Sequence, residues 1–90
     1  MSDPAGSGRI AVTWSADGRA SLRAVPRDLA MQILQCLDRY LATRSGDVKK
    51  LKPPLAGFRL RCGDYRVFFD LKGEAEIEIT AVRNRREAYR

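Results

Sequence analysis

Three strand-like runs separated by very short turns constrain the fold of this chain most. The runs are Phe58 to Cys62, Tyr65 to Leu71 and Glu76 to Val82, and the turn signals between them are Gly63-Asp64 and Lys72-Gly73-Glu74. Because connections this short join only antiparallel neighbours, the pattern predicts a three-stranded antiparallel meander. In the last run, Ile77, Ile79 and Ala81 alternate with Glu76, Glu78 and Thr80, which predicts one packed face and one solvated face.

The upstream half predicts one strand followed by two helices. Arg9 to Trp14 has the alternation of a strand with one buried face. Ser15 is a suitable N-cap for a short helix through Ala24. A longer helix begins at Pro26 and stops near Gly46, and its apolar stripe comprises Leu29, Ile33, Cys36, Leu37, Tyr40 and Leu41. The polar segment Ser45 to Pro54 predicts a loop. The expected fold is therefore α+β, with an N-terminal strand, a helical hairpin and the meander, its sheet packed on the helices.

The 90 residues suffice for one domain, which we assign to residues 9–90. Residues 1–8 are small and polar and predict a disordered leader. No apolar run approaches the length of a membrane span, so we expect no membrane association and a cytoplasmic location. Cys36 and Cys62 are far apart in sequence and too few for a disulfide framework, which favours reduced thiols.

The charge balance indicates a polyanionic partner and limits the chemistry. The chain carries 17 Lys plus Arg against 11 Asp plus Glu, has a net charge of +6 and contains no histidine. Triads that use histidine and histidine metal sites are thereby excluded, and we expect neither a metal nor another cofactor. A strongly basic domain favours nucleic acid, an anionic surface or an acidic protein.

The basic excess is concentrated near the predicted sheet. Residues 44–66 carry seven basic and two acidic side chains, and residues 83–90 carry four and one. Strand alternation predicts that Arg59 and Arg61 project to solvent together and that Arg66 shares their face. Because a guanidinium group matches the geometry of a phosphodiester, this face is a candidate phosphate-binding surface. Further candidates for nucleic-acid binding are Lys49, Lys50, Lys52, Arg83, Arg85 and Arg86.

Simpler interpretations exist for these charged and aromatic residues. The three arginines of the meander could pair across strands with Glu76, Glu78 and Asp70. The three lysines could belong to a solvated loop. Phe58, Tyr65 and Phe69 are expected in the core, whereas Tyr89 is a candidate exposed ring for stacking on a base.

Two stretches carry a resemblance to a known family. They are Phe58-Arg59-Leu60-Arg61-Cys62-Gly63-Asp64-Tyr65-Arg66-Val67-Phe68-Phe69 and Arg85-Arg86-Glu87-Ala88-Tyr89. Together with Ile77 to Val82 between them, they resemble the RelE/ParE superfamily of bacterial toxins from toxin–antitoxin pairs. The resemblance extends over residues 9–90 and implies the fold described above and an antitoxin protein as partner.

The RelE-like branch, which we favour, implies a ribosome-dependent endoribonuclease that cuts mRNA and inhibits translation. In that branch the ribose 2′-hydroxyl attacks the adjacent phosphate while basic residues stabilise the developing charge. Carried over to this sequence, the catalytic positions are Arg59, Arg61, Arg66, Arg85 and Tyr89. Arginine keeps its proton, so Tyr89 or a loop lysine would have to move the proton, or charge stabilisation would have to suffice.

Two other activities are compatible with the same resemblance. The ParE-like branch implies a toxin that inhibits DNA gyrase by binding it and catalyses no reaction. A third possibility is a non-toxic module that only binds its antitoxin.

Overall fold

A computed structural model describes residues 9–88 of the chain. The elements, in order, are β1 (Ala11–Trp14), α1 (Ala16–Arg23), α2 (Arg27–Thr43), β2 (Asp47–Lys50), β3 (Phe58–Cys62), β4 (Tyr65–Gly73), β5 (Glu76–Asn84) and a short α3 (Arg85–Ala88). This confirms the predicted α+β fold. The predicted disordered leader lies outside the described residues.

The strands form one five-stranded sheet in the order β1-β5-β4-β3-β2. β1 runs parallel to β5, and the other neighbours are antiparallel. The three predicted strands of the meander are thus present as β3, β4 and β5, joined by short turns. Within residues 9–88, no helix has the length and apolarity to cross a membrane.

The prediction of a loop over Ser45 to Pro54 is wrong for Asp47–Lys50, which form the edge strand β2. In this strand Val48 pairs with Leu60 of β3, and Lys49 pairs with Arg59. An edge strand needs hydrogen bonds on one side only and tolerates charged residues that deter further pairing. With one apolar residue in four, the segment has no detectable alternation, so its sequence resembles a loop.

The core lies between α2 and one face of the sheet. Ile33, Leu37 and Leu41 recur at every fourth position of α2 and are fully buried. They face the buried side chains of the sheet, which include Leu60, Val67, Phe69, Ile77, Ile79 and Val82. Phe69 lies near the centre, with its ring centroid 5.6 Å from that of Phe58 and 5.8 Å from that of Tyr40.

A disulfide joins Cys36 of α2 to Cys62 of β3, so the prediction of reduced thiols is wrong. Cys36 lies on the apolar stripe of α2, and Cys62 lies on the same sheet face as Leu60. Packing of the helix on the sheet therefore brings their Cα atoms to 5.9 Å although 26 residues separate them in sequence. Distance along the sequence does not limit contact in the folded chain, which is why the sequence argument failed.

Reduction of this disulfide is expected to lower the free energy of unfolding by about 2–4 kcal/mol, because the bond closes a long loop in the unfolded chain. The measurement is denaturant unfolding of the oxidised protein with and without a dithiol reductant. A Cys36→Ser variant is the control, since its midpoint should not respond to the reductant. Equal midpoints for the oxidised wild type with and without reductant would contradict the prediction.

Helix α1 follows the edge of β5 beyond the end of β1. Ser15 caps this helix through a hydrogen bond from Gly18 N–H to its Oγ, and Ser15 N–H donates to the carbonyl of Ile79. Further along, Val82 N–H donates to Ser21 Oγ. The helix and its cap thus satisfy backbone groups of β5 at and beyond the end of its pairing with β1, which requires a close approach at Gly18.

Replacement of Gly18 by alanine is expected to destabilise the protein by about 1–3 kcal/mol. Alanine normally stabilises a helix interior relative to glycine. At this position, however, the added Cβ would lie well inside van der Waals contact with the carbonyl oxygen of Ile79. Thermal unfolding of Gly18→Ala measures the effect, and Gly73→Ala is a suitable control because a Cβ there meets no atom within 4 Å. A higher melting temperature for Gly18→Ala would refute this account of the contact.

Candidate nucleic-acid interface

The sheet face opposite α2 carries most of the predicted site residues, and we call it the open face. Because Leu60, Val67 and Val82 pair across β3, β4 and β5 on the core side, their neighbours in sequence lie on the other side. Around the arginines, the open face presents Asp47, Lys49, Arg59, Arg61, Arg66, Phe68, Ala81 and Arg83, and further along β4 and β5 it carries Asp70 and Glu78.

Three arginines are direct neighbours on the open face, and we call them the arginine row. Arg61 pairs with Arg66 in the register of β3 and β4, and Arg66 pairs with Arg83 in the register of β4 and β5. The sequence prediction that Arg66 shares the face of Arg61 agrees with this register. Like charges directly opposite each other destabilise a sheet. The row therefore costs folding energy that an anion bound across it would offset.

Arg66, at the centre of the row, is buried and only 7% exposed. Its Nη1 donates to the carbonyl oxygens of Gly63 at 2.9 Å and Tyr65 at 3.0 Å. Its Nε is buried and has no hydrogen-bond partner in the described part of the chain. The sequence predicted a solvent-facing side chain. It missed the burial because alternation gives the face of a residue but not the course of a long side chain, which here turns back toward the β3–β4 turn.

The two arginines of β3 differ in their surroundings. Arg61 is exposed, as predicted. Arg59 is only 12% exposed in its side chain, and its Nη1 lies 3.5 Å from Asp47 Oδ1 and 3.3 Å from the Asp47 carbonyl oxygen. The prediction that both project to solvent together is therefore wrong for Arg59. The paired β2 strand, which the sequence did not reveal, supplies the carboxylate.

The alternative pairing of these arginines with Glu76, Glu78 and Asp70 does not occur in the structure. Across residues 9–88 the ion pairs are Arg9–Asp38, Arg59–Asp47 and Lys72–Glu78. Asp70 and Glu78 are register partners of each other, further along β4 and β5. The acidic end of the sheet is thus separated from the arginine row.

A bulge in the β4–β5 pairing changes which side chains reach the open face. The register shifts between Phe68 and Phe69, so Phe69 pairs with Ile79 while Phe68 pairs with Ala81. Ala81 was predicted on the side of Ile77 and Ile79, and this prediction is wrong. The extra residue moves Ala81 to the open face, moves Val82 into the core and brings Arg83 into line with Arg66.

The predicted lysines are exposed but do not lie together. Lys49 is on the open face as the register partner of Arg59, whereas Lys50 pairs with Phe58 and belongs to the other face. Lys52 is exposed in the segment between β2 and β3. Of the three, the fold brings only Lys49 beside the arginines.

The remaining candidates lie near the chain end. Arg85 and Arg86 are exposed in α3, where Arg85 N–H donates to the carbonyl of Asp64 at 2.7 Å. They line a cavity of about 450 Å³ together with Asp64, Asn84 and Glu87. This cavity lies at the β3–β4 turn, whose Gly63 carbonyl accepts the hydrogen bond from Arg66. The predicted catalytic residue Tyr89 lies outside the described residues.

Sequence reasoning missed two residues of the open face. Asp47 gave no signal because β2 could not be recognised. Phe68 did give one, since it has the same strand parity as Arg66, but the sequence analysis assigned it neither to the core nor to the open face.

The chain matches a family model described as the ParE toxin of the type II toxin–antitoxin system parDE, over residues 12–89. The chain belongs to this toxin family. The predicted membership of the RelE/ParE superfamily is thereby confirmed. No curated protein matches the toxin's sequence.

Solved structures of related toxins share the fold. The toxin–antitoxin complex RelBE2 from Mycobacterium tuberculosis matches with a TM-score of 0.74 and 22% identity, covering 84% of this chain and 91% of that chain. The archaeal RelE–RelB complex from Pyrococcus horikoshii matches with a TM-score of 0.66 and 25% identity over 89% of this chain and 99% of that one. The YoeB dimer from Staphylococcus aureus matches with a TM-score of 0.60 and 19% identity, covering 81% of this chain and 93% of that chain.

Proposed function

We propose that this toxin is a ribosome-dependent endoribonuclease that cuts mRNA and so inhibits translation. The observation that carries the proposal is the arginine row, in which Arg61, Arg66 and Arg83 stand side by side. None of the three forms an ion pair among residues 9–88, and Asp47, the register partner of Arg61, forms its ion pair with Arg59. A folded protein keeps like charges together at a cost when an anionic ligand uses them. The phosphodiester of a nucleic acid fits this requirement.

The proposed reaction needs charge stabilisation more than it needs a strong base. The ribose 2′-hydroxyl loses its proton and its oxygen attacks the adjacent phosphorus. The bond from phosphorus to the 5′-oxygen breaks and the 5′-oxygen takes up a proton, so the products carry a 2′,3′-cyclic phosphate and a 5′-hydroxyl. Extra negative charge develops on the phosphate oxygens in the transition state. Fixed donors aimed at that charge can contribute several kcal/mol to lowering the barrier.

The residues of the proposed site have different roles. Arg66 is held by two backbone carbonyls, so its guanidinium is fixed before the substrate binds. Arg61 and Arg83 flank it and would contact the same phosphate, while Lys49 and Arg59 would hold the neighbouring backbone. Arg85 and Arg86 are proposed to bind RNA from the chain end, and Tyr89 is proposed to move a proton.

A specific observation supports a second candidate, inhibition of DNA gyrase. The matching family model is that of ParE toxins, and the ParE-like branch acts by binding gyrase. In that case the arginine row would be a binding surface for gyrase or its DNA. An antitoxin is proposed as partner under either function, because the similar structures include complexes of a toxin with its antitoxin. The proposed site of action is the cytoplasm.

Two parallel reactions with the purified toxin test the proposal. One is a purified translation reaction in which mRNA length is followed with and without ribosomes, and the other is a gyrase supercoiling reaction. We expect mRNA shortening that requires ribosomes, and normal supercoiling. Intact mRNA with blocked supercoiling would overturn the proposal in favour of gyrase inhibition, and inactivity in both would leave only antitoxin binding.

A further inference from the structure

Phe68 is an aromatic residue on the open face rather than in the core. In the register of the sheet it lies between Arg59 of β3 and Ala81 of β5. It is half-buried, yet among the described side chains that pack against the core cluster, Phe58 and Tyr65 are present and Phe68 is not. Its neighbour Phe69 is 1% exposed and points to the opposite side. The ring of Phe68 is therefore available at the surface that carries the arginines.

The bulge in β5 determines which side chain lies beside this ring. Thr80 occupies the extra position, and its Oγ1 donates to the Phe68 carbonyl at 3.3 Å. The residue paired with Phe68 is in consequence Ala81, whose side chain is a single methyl group. With regular pairing, the larger Thr80 would stand opposite Phe68. The bulge thus places the smallest available side chain beside the ring, on the edge away from Arg59.

The ring and the arginine row are spaced as a base and its phosphate require. Arg66 precedes Phe68 by two residues on one strand, which is about 6.6 Å along β4. A nucleotide whose phosphate binds the row would bring its base within reach of the ring. Aromatic side chains beside backbone-binding cations are the usual means of holding single-stranded nucleic acid, because every base has a π-face that can stack.

We propose that Phe68 is a stacking platform for one base of a single-stranded RNA whose phosphate binds Arg61, Arg66 and Arg83. The inference rests on the proposed function, because it names how the same site holds its substrate. RNA is favoured over an acidic peptide because an aromatic ring next to a row of arginines matches a base next to its phosphate.

The test measures binding of the full chain to a short labelled oligoadenylate by fluorescence anisotropy. Phe68→Leu keeps the apolar character but removes the ring, and it is expected to weaken binding about tenfold. Phe68→Tyr keeps the ring and should bind like the wild type. Leu71→Ala is the matched control, since Leu71 lies on the same strand and is 57% exposed but faces the other side.

Salt dependence separates stacking from charge. Because Phe68 contacts no phosphate in this proposal, Phe68→Leu should keep the wild-type slope of affinity against salt concentration, whereas Arg61→Ala should reduce the slope. Phe68→Leu should reduce the affinity for an oligouridylate less than the affinity for the oligoadenylate, because a pyrimidine offers a smaller surface for stacking.

The outcomes distinguish this inference from the proposed function. Weakened binding in Phe68→Leu together with uncut mRNA in the translation reaction would support the platform and refute the nuclease. Normal mRNA cleavage together with equal RNA affinity of Phe68→Leu and Leu71→Ala would overturn the platform alone. Failure of the wild type to bind either oligonucleotide would also overturn the platform. It would likewise be overturned if Phe68→Leu bound an acidic antitoxin peptide more weakly than the wild type but bound RNA with the same affinity.

Discussion

Replacement of Arg66 by alanine is expected to lower the rate of mRNA cleavage by about 100- to 1,000-fold, as removal of one preorganised donor to a developing anion commonly does. Arg66 is the centre of the arginine row, with Arg61 and Arg83 as its register partners. Its Nη1 is held by the Gly63 and Tyr65 carbonyls, so the guanidinium is fixed before a ligand binds. The measurement is the cleavage rate in a purified translation reaction with excess toxin.

The same substitution is expected to leave the fold intact. Two hydrogen bonds to the Gly63 and Tyr65 carbonyls are lost, but the repulsion from the two flanking arginines is relieved as well. Should the cavity left by alanine destabilise the protein, Arg66→Met retains an apolar stem and removes the guanidinium. Arg39→Ala, at an exposed position of α2, is the matched control and should cut at the wild-type rate. An unchanged rate in both Arg66 variants would refute the assigned role.

Replacement of Phe69 by alanine is expected to lower the free energy of unfolding by about 3–5 kcal/mol. Phe69 is 1% exposed and stacks on Phe58 while its ring also approaches Tyr40, so its removal leaves a cavity lined by both the helix and the sheet. Small domains have only about 5–15 kcal/mol of stability in total. Chemical denaturation monitored by the far-ultraviolet circular dichroism signal measures the loss.

The adjacent Phe68 provides a control of the same residue type. Because Phe68 lies on the open face and does not pack against the core cluster, Phe68→Ala should cost about 1 kcal/mol or less. The two substitutions remove the same atoms from neighbouring positions. The difference between their losses in free energy of unfolding therefore reports which face of the sheet each residue occupies. Similar losses in both variants would contradict the assignment of Phe68 to the open face.

The sequence predicted the parts of the fold that depend on local pattern. The bounds of β3 were predicted as Phe58 to Cys62, and they are observed there because short turns and strict alternation leave little freedom. That Arg61 and Arg66 share a face could also be anticipated, since strand parity and hairpin pairing fix which residues share a face. Arg83 joins them only because of the bulge in the β4–β5 pairing.

The parts that depend on tertiary contacts could not be predicted in this way. β2 has a single apolar residue, Val48, and exists because β3 offers it an unpaired edge. The Cys36–Cys62 disulfide depends on how α2 packs on the sheet. The bulge that exposes Ala81 leaves no mark in the alternation of β5 itself. The proton-moving group of the site stays a prediction, because Tyr89 lies outside the described residues.

The central claim is that the arginine row stabilises the attack of a ribose 2′-oxygen on the adjacent phosphate of mRNA. The most direct measurement maps the 5′ ends of mRNA by primer extension after a translation reaction with the wild-type toxin. Two transcripts are compared, one of them carrying a single 2′-deoxynucleotide immediately upstream of the mapped cut. The account predicts a cut in the all-ribose transcript and none at the substituted position. An equal cut in both transcripts would contradict it, as would the absence of any cut in the all-ribose transcript.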